Sequence, residues 1–263
     1  MRPPCASIGR WLPSRTPGSP RERNLGLRDE LSALATAFSF FTRLPLGGGD
    51  FRPTGAVLYL PLIGVFLGGL NWFLLKVLLP RYGPELAALV ILLVQYFLAN
   101  YFHFDGLLDT LDALSAGGPR ERRLRILKSP EVGALGLLFG VLFLLGEWIF
   151  LKRALLEGLE SAAFFKPLFG RWGLLFGMVF GRPAKSEGLG ALFFGRGASE
   201  RASLAFAALT LFLLWFYPRG TPLIFLALGG VTFHFRRVFG GLTGDLLGAL
   251  CQLSEFLFLA IIV

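Results

Sequence analysis

The stretch PELAALVILLVQYFLANYFHFDGLLDTLDALSAGG, residues 84–118, starts as a helix suited to lipid and ends as an acidic one. Its first part, 84–102, carries a single charged residue, Glu85, near its beginning. A run of that length crosses the ~30 Å hydrocarbon core at about 1.5 Å per residue. The second part places Asp105, Asp109 and Asp112 at i, i+4 and i+7. At about 100° per residue these fall within a sector roughly 60° wide. A membrane span thus delivers a row of carboxylates to one interface.

Working outward, runs of the same kind recur at 55–79, 132–151, 160–181, 202–217, 221–235 and 242–263. With 84–102 they predict an all-α, polytopic membrane bundle of about seven transmembrane helices. A close helical hairpin is expected between Pro218 and Pro222. The segment 31–45, LSALATAFSFFTRLP, is too short and too interrupted to span, and reads as an interfacial or re-entrant helix ended by Pro45. Composition agrees: of 263 residues 54% are hydrophobic and 16% charged, and mean hydropathy is +0.63. Soluble domains carry about 25% charge, so a soluble enzyme, a disulfide scaffold and a disordered chain are excluded.

The net charge of +9 is uneven. Residues 1–28 hold six Arg and one Glu with no apolar core, which excludes a secretory signal and predicts a disordered basic leader ahead of a single transmembrane domain, 29–263. Cys5 and Cys251 lack any metal or redox spacing. Alternating from an inside N-terminus places Arg43, Arg52, Arg120, Arg122, Arg123, Arg125, Lys128, Arg182, Lys185, Arg196, Arg201, Arg236 and Arg237 on the cytoplasmic side. Arg81, Lys152, Arg153 and Arg219 fall outside, which agrees with the positive-inside rule for seven spans. The expected location is the plasma (cell inner) membrane, multi-pass, with the acidic face toward the cytoplasm. Glu147, Lys166 and Arg171 lie within spans, where charges cost about 2.5–3.5 kcal/mol and face a partner or a cavity.

Three carboxylates on one helix face repel one another. The flanking Leu107, Leu108, Leu111 and Leu114 oppose a merely solvated face. Oxygen-only ligands suit a hard cation, and Mg²⁺ held by a few carboxylates together with substrate phosphates is the expected arrangement. His103 has no second ligand at helical spacing, so a zinc site is not supported. Basic and Gly-rich segments stand at the ends of other spans: GGPRERRLRILKSPEVG (117–133), GRPAKSEGLGALFFGRG (181–197) and FGGLTGDLLGA (239–249). Arginine suits bidentate phosphate contacts, and Gly-rich loops can present N–H groups to phosphate. Asp245 alone would be an acidic N-terminal helix residue. Together, these clusters at one set of span ends predict a single site combining metal-binding carboxylates with phosphate-binding cations.

The motifs resemble the cobalamin synthase (adenosylcobinamide-GDP ribazoletransferase) family. Its hallmark is close to FHLDGLADTxDG, where this chain reads FHFDGLLDTLDA. FFTRLP, LPLIG, EGLG (187–190) and GGLTGDLLGA (240–249) follow in the same order, with Arg171 and Glu255 at matching positions, over about residues 31–263. Departures are Ala113 for a glycine, Arg125 and Ser129 for acids of the basic loop, and Gln252 for another acid.

The resemblance implies transfer of α-ribazole, or its 5′-phosphate, onto adenosylcobinamide-GDP, giving adenosylcobalamin or its phosphate plus GMP. It implies Mg²⁺ on Asp105, Asp109 and Asp112, with Asp112 also a candidate proton acceptor and Asp245 a further catalytic acid. Arg43, Arg171, Arg182, Lys185, Glu187, Gly188 and Gly190 are implied in substrate and phosphate binding. The partners are these substrates and the lipid bilayer, without nucleic acid, and an oligomer is compatible with it. Two alternatives stay open. A CDP-alcohol-type phosphatidyltransferase would carry DGxxAR, which is absent, and a membrane transporter with an acidic cation site would place its acids near the midplane.

Overall fold

The structure is a computed structural model and describes residues 27–46, 53–184 and 189–263. Its elements run α1 (Leu27–Phe41), α2 (Pro53–Ala56), α3 (Leu60–Gln95), α4 (Tyr101–Ser115), α5 (Arg120–Ile126), α6 (Ala134–Leu156), α7 (Ser161–Phe180), α8 (Arg196–Phe216), α9 (Gly220–Phe239) and α10 (Gly244–Ile262). Short 3₁₀ turns, Val57–Tyr59 and Leu189–Phe194, and a π turn, Tyr96–Asn100, complete them. Among the described residues the β pairing is one bridge, Pro183 with Leu242. The expected leader, 1–28, falls almost wholly outside the described residues.

Among the described residues five stretches are long and apolar enough to cross a membrane: Thr54–Ser115, Ala134–Leu156, Gly197–Phe216, Gly220–Phe239 and Gly244–Ile262. The first, at 62 residues, would be roughly 93 Å long if straight, about three bilayer cores. It is not straight. Gly83 has φ 75° and ψ 175° inside α3, a conformation that glycine adopts without the Cβ penalty. Pro80 and Pro84 flank it, and proline lacks the N–H that would carry a helix through. The chain folds back here: Asn71 Nδ2 donates to Gln95 Oε1 at 3.0 Å, and the two residues stand twelve positions either side of Gly83.

Helix α7 is the hub. Sixteen of its twenty residues are buried, Lys166 and Arg171 among them, and α3 and α10 pack along it. A helix enclosed by others needs no apolar outer face, which explains why α7 is absent from the five apolar stretches. Pro167 interrupts it without an orphan: the Ala163 carbonyl, which a residue-167 N–H would normally satisfy, accepts from Asn71 Nδ2 at 3.1 Å. The outer surface is apolar instead, with Trp215 83%, Leu211 71% and Leu226 70% exposed.

Boundaries differ from the expected runs where polar residues sit at helix ends. Helix α8 begins six residues before the expected 202, since Glu200 and Arg201 are accommodated in its first turns. Helix α1 ends at Phe41 rather than at Pro45, and Thr42 Oγ1 donates to the Phe38 carbonyl at 2.5 Å there. The turn between α8 and α9 falls at 217–219, close to the expected hairpin.

Candidate active site

The ends of α4, α7, α9 and α10 meet on one side of the bundle. Gly106 makes this possible for α4 and α10, because a Cβ there would lie 2.7 Å from the Asp245 carbonyl oxygen and 2.8 Å from its Cα. Asp105, exposed, and Asp245 are consequently neighbours, near enough to act on each other electrostatically, and Lys128 acts on Asp245 from the basic loop. Thr243 caps α10, accepting from the Leu246 N–H at 3.3 Å and donating to Asp245 Oδ2 at 3.2 Å. Asp109, one turn beyond Asp105, is partly buried.

Asp112 has a different environment. Its Oδ2 accepts the Gly133 N–H and its Oδ1 the Gly136 N–H, each at 2.7 Å. Those are first-turn donors of α6, which lack intrahelical partners and carry the positive end of the helix dipole. Asp112 therefore caps a neighbouring helix, in space that Gly133 and Gly136 leave free. The expected three-aspartate set is not gathered: among the described residues no three His, Cys, Asp or Glu side chains converge closely enough to hold a metal ion.

Arginines bind the surrounding loops together. Arg120 donates from Nε to the Phe239 carbonyl and from Nη2 to the Ala184 carbonyl, both at 2.7 Å. Arg123 holds the carbonyls at the end of α4, Ala113 at 3.3 Å and Leu114 at 3.1 Å. Arg182 Nε reaches the Gly240 carbonyl at 3.1 Å, and Leu242 exchanges backbone bonds with Arg182 and Ala184 at 2.7 and 2.9 Å. The basic loop, the 181–184 segment and the 239–245 turn are thus drawn against the acidic end of α4. Lys185, Glu187 and Gly188 lie outside the described residues, and Gly190 falls in the 3₁₀ turn after them.

Two expected phosphate ligands sit elsewhere. The Arg43 guanidinium lies over the rings of Phe97 at 4.7 Å and Tyr101 at 4.2 Å. Arg171 is fully buried and donates to Glu255 Oε1 and Asn100 Oδ1, each at 3.1 Å. It belongs to a polar centre inside the bundle. Lys166 meets Glu255 at 2.5 Å and Glu147 at 3.2 Å, all of them inaccessible to solvent. Tyr96 donates to Glu147 Oε2 at 2.9 Å or to Gln252 Oε1 at 2.6 Å. Two cations and two carboxylates balance in charge. Sequence reasoning saw these charges singly. The signal that groups them is the run of buried amides within apolar spans, Asn71, Gln95, Asn100 and Gln252. His103 is buried against Phe41 and Phe102.

An apolar-surfaced helical bundle with carboxylates and guanidinium groups collected at one end defines a polytopic membrane protein. Residues 33–263 match the cobalamin-5-phosphate synthase family, and the chain belongs to that family. It is 35% identical to the adenosylcobinamide-GDP ribazoletransferase of Desulfitobacterium hafniense (strain Y51) over 85% of this chain and 93% of that protein. The proteins of the same name from Fervidobacterium nodosum (90% and 98% covered) and Thermosipho africanus (86% and 96%) are each 32% identical. No solved structure matches the chain.

Proposed function

We propose that this protein is an adenosylcobinamide-GDP ribazoletransferase of the plasma membrane. It joins α-ribazole, or its 5′-phosphate, to adenosylcobinamide-GDP and releases GMP in the last steps of cobalamin assembly. The observation that carries the reading is the junction at Gly106, which sets Asp105 of FHFDGLLDTLDA beside Asp245, in a chain related over most of its length to proteins of that name.

The bundle crosses the membrane seven times on this reading: Thr54–Ser115 twice, by virtue of Gly83, enclosed α7 once, and the remaining four stretches once each. Helix α1 lies at the interface. The Arg-rich loops then face the cytoplasm, and the site opens there.

A ribazole hydroxyl oxygen forms a bond to the phosphorus attached to cobinamide, the bond to the bridging oxygen breaks, and GMP departs with that oxygen. The hydroxyl proton passes to a carboxylate. Asp245, oriented by Thr243, is placed to align the hydroxyl and take that proton. Arg182 and Lys128, with Lys185, hold phosphate oxygens, so that positioning and charge neutralisation supply most of the acceleration. Asp105 and Asp109 would hold Mg²⁺, an oxygen-only pair suited to an ion that keeps several waters and takes substrate phosphates as further ligands. When bound, the ion would neutralise the diphosphate and the charge developing on the leaving group. Asp112 supports the site by fastening α6.

The test is GMP release by purified protein in nanodiscs, given adenosylcobinamide-GDP and α-ribazole with Mg²⁺ or EDTA. Mg²⁺-dependent GMP and cobalamin, both lost in Asp109→Asn, are the expected result. Folded protein that makes no cobalamin from either nucleophile refutes the function.

A further inference from the structure

Helix α4 does not simply prolong α3. The π turn Tyr96–Asn100 stands between them. On an uninterrupted α-helix Gln95 and Asn100 would face about 140° apart. A turn closed by i→i+5 bonds stacks such residues, and both side chains donate to one atom, Glu255 Oε2, at 2.8 and 2.9 Å. Glu255 is itself held by Lys166 and Arg171, and Arg171 returns a bond to Asn100.

The opposite side of the turn is clamped too. The Leu98 carbonyl accepts the Arg43 backbone N–H at 2.7 Å, and the Arg43 guanidinium covers the rings that flank it, Phe97 and Tyr101. Buried carbonyls need such a donor. The FFTRLP segment supplies it from outside the bundle, while Glu255 holds the turn from inside.

The consequence reaches the acids. Asp105 lies five residues beyond Asn100, and each residue added or removed at the turn rotates everything after it by about 100°. That exceeds the width of the aspartate sector. We infer that Asn100 and Glu255 are positioning residues: across the π turn they set the rotation of α4, and so aim Asp105 and Asp109 at the start of α10. The inference rests on the transferase reading for its kinetic part alone.

Rotation can be read without turnover. A Cβ at Gly140 would lie 3.6 Å from Leu108 Cγ, where a cysteine sulfur at 108 would stand. Leu108→Cys with Gly140→Cys, in a Cys5→Ser background, should therefore cross-link α4 to α6 under mild oxidation. Adding Asn100→Ala, or deleting Leu98, should cut the yield by more than half. Asn100→Ala alone should lower kcat about 100-fold, the scale of a small misplacement at a reacting centre. Its KM values should stay near those of the parent, while its melting temperature falls because two buried hydrogen bonds are lost.

Cross-linking and kcat both unchanged in Asn100→Ala would overturn the inference, as would lost activity with an unchanged cross-link. If the Leu98 deletion does not fold, Asn100→Ala and Gln95→Ala decide. Parent protein that cross-links but makes no cobalamin refutes the function, while the effect of Asn100→Ala on cross-linking still tests the register.

Discussion

Replacing Glu255 by Gln tests the polar centre directly. Lys166 and Arg171 balance Glu147 and Glu255, and Lys166, Glu147 and both partners' side chains are closed to solvent. The substitution keeps shape and removes one negative charge, leaving an uncompensated cation in the bundle. Breaking a buried pair in this way costs about 3–5 kcal/mol. Glu255 Oε2 also accepts from Gln95 and Asn100, and a glutamine amide facing those donors satisfies fewer of them. The upper half of that range is expected. At about 1.4 kcal/mol per tenfold change, the folding equilibrium should shift by roughly three orders of magnitude. The assay is reversible unfolding in mixed micelles with rising SDS. Lys76→Met, which removes an exposed pair with Glu160, serves as reference and should cost about 1 kcal/mol or less. Adding Arg171→Gln to Glu255→Gln restores neutrality and should recover part of the loss. A cost for Glu255→Gln no larger than that of Lys76→Met would refute the reasoning.

The aspartates of α4 should separate by assay. Asp112→Asn loses a charged cap on α6 and should cost about 1–2 kcal/mol of stability, whereas Asp105→Asn relieves repulsion with Asp245 and should abolish GMP release with no loss of stability, both checked by melting and turnover on the same preparations. Gly106→Ala brings a Cβ against the Asp245 backbone; it should cost about 1–3 kcal/mol and eliminate turnover, and a wild-type rate would contradict the α4–α10 junction. The Glu30 carboxyl is held below its ordinary value of 4.5 by the hydrogen bond from Tyr59 and next by Arg201. Its contribution is therefore present above that value and is lost as pH falls through the lower folded value, so α1 should become protease-sensitive in acid below pH 4.5 in the parent and at neutral pH in Glu30→Gln.

Much of the fold is legible because lipid imposes simple demands. Apolar length predicted the ends of α6, α9 and α10 to within five residues, and the gap between the runs 55–79 and 84–102 falls at the reversal at Gly83. Partner choice is not local. Nothing in the run 160–181 says that Lys166 meets Glu147 and Glu255, which lie 19 and 89 positions away. The sequence names the acids of the candidate site but not what each of them touches. Helical spacing put three aspartates on one face. Only the packing of α6 shows that the third of them is occupied with backbone N–H groups. Arg120 and Arg123 read as part of a positive cytoplasmic loop, and their loop-closing bonds are not legible there, because the free carbonyls they bind become visible only where helices end.

The charge-balanced centre also imposes an order on biosynthesis. Membrane helices emerge from the N-terminus onward, so Glu147 is in place when Lys166 enters and can accompany it into the lipid. Arg171 has no carboxylate among its described hydrogen bonds and ion pairs until Glu255 arrives on the final helix. With α7 as one of the seven proposed spans, a nascent chain halted before α10 would hold a guanidinium at a depth that costs about 2.5–3.5 kcal/mol on insertion scales. On that reading the arrival of α10 completes the charge balance, and a chain stalled short of it would expose the guanidinium that Glu255 otherwise pairs.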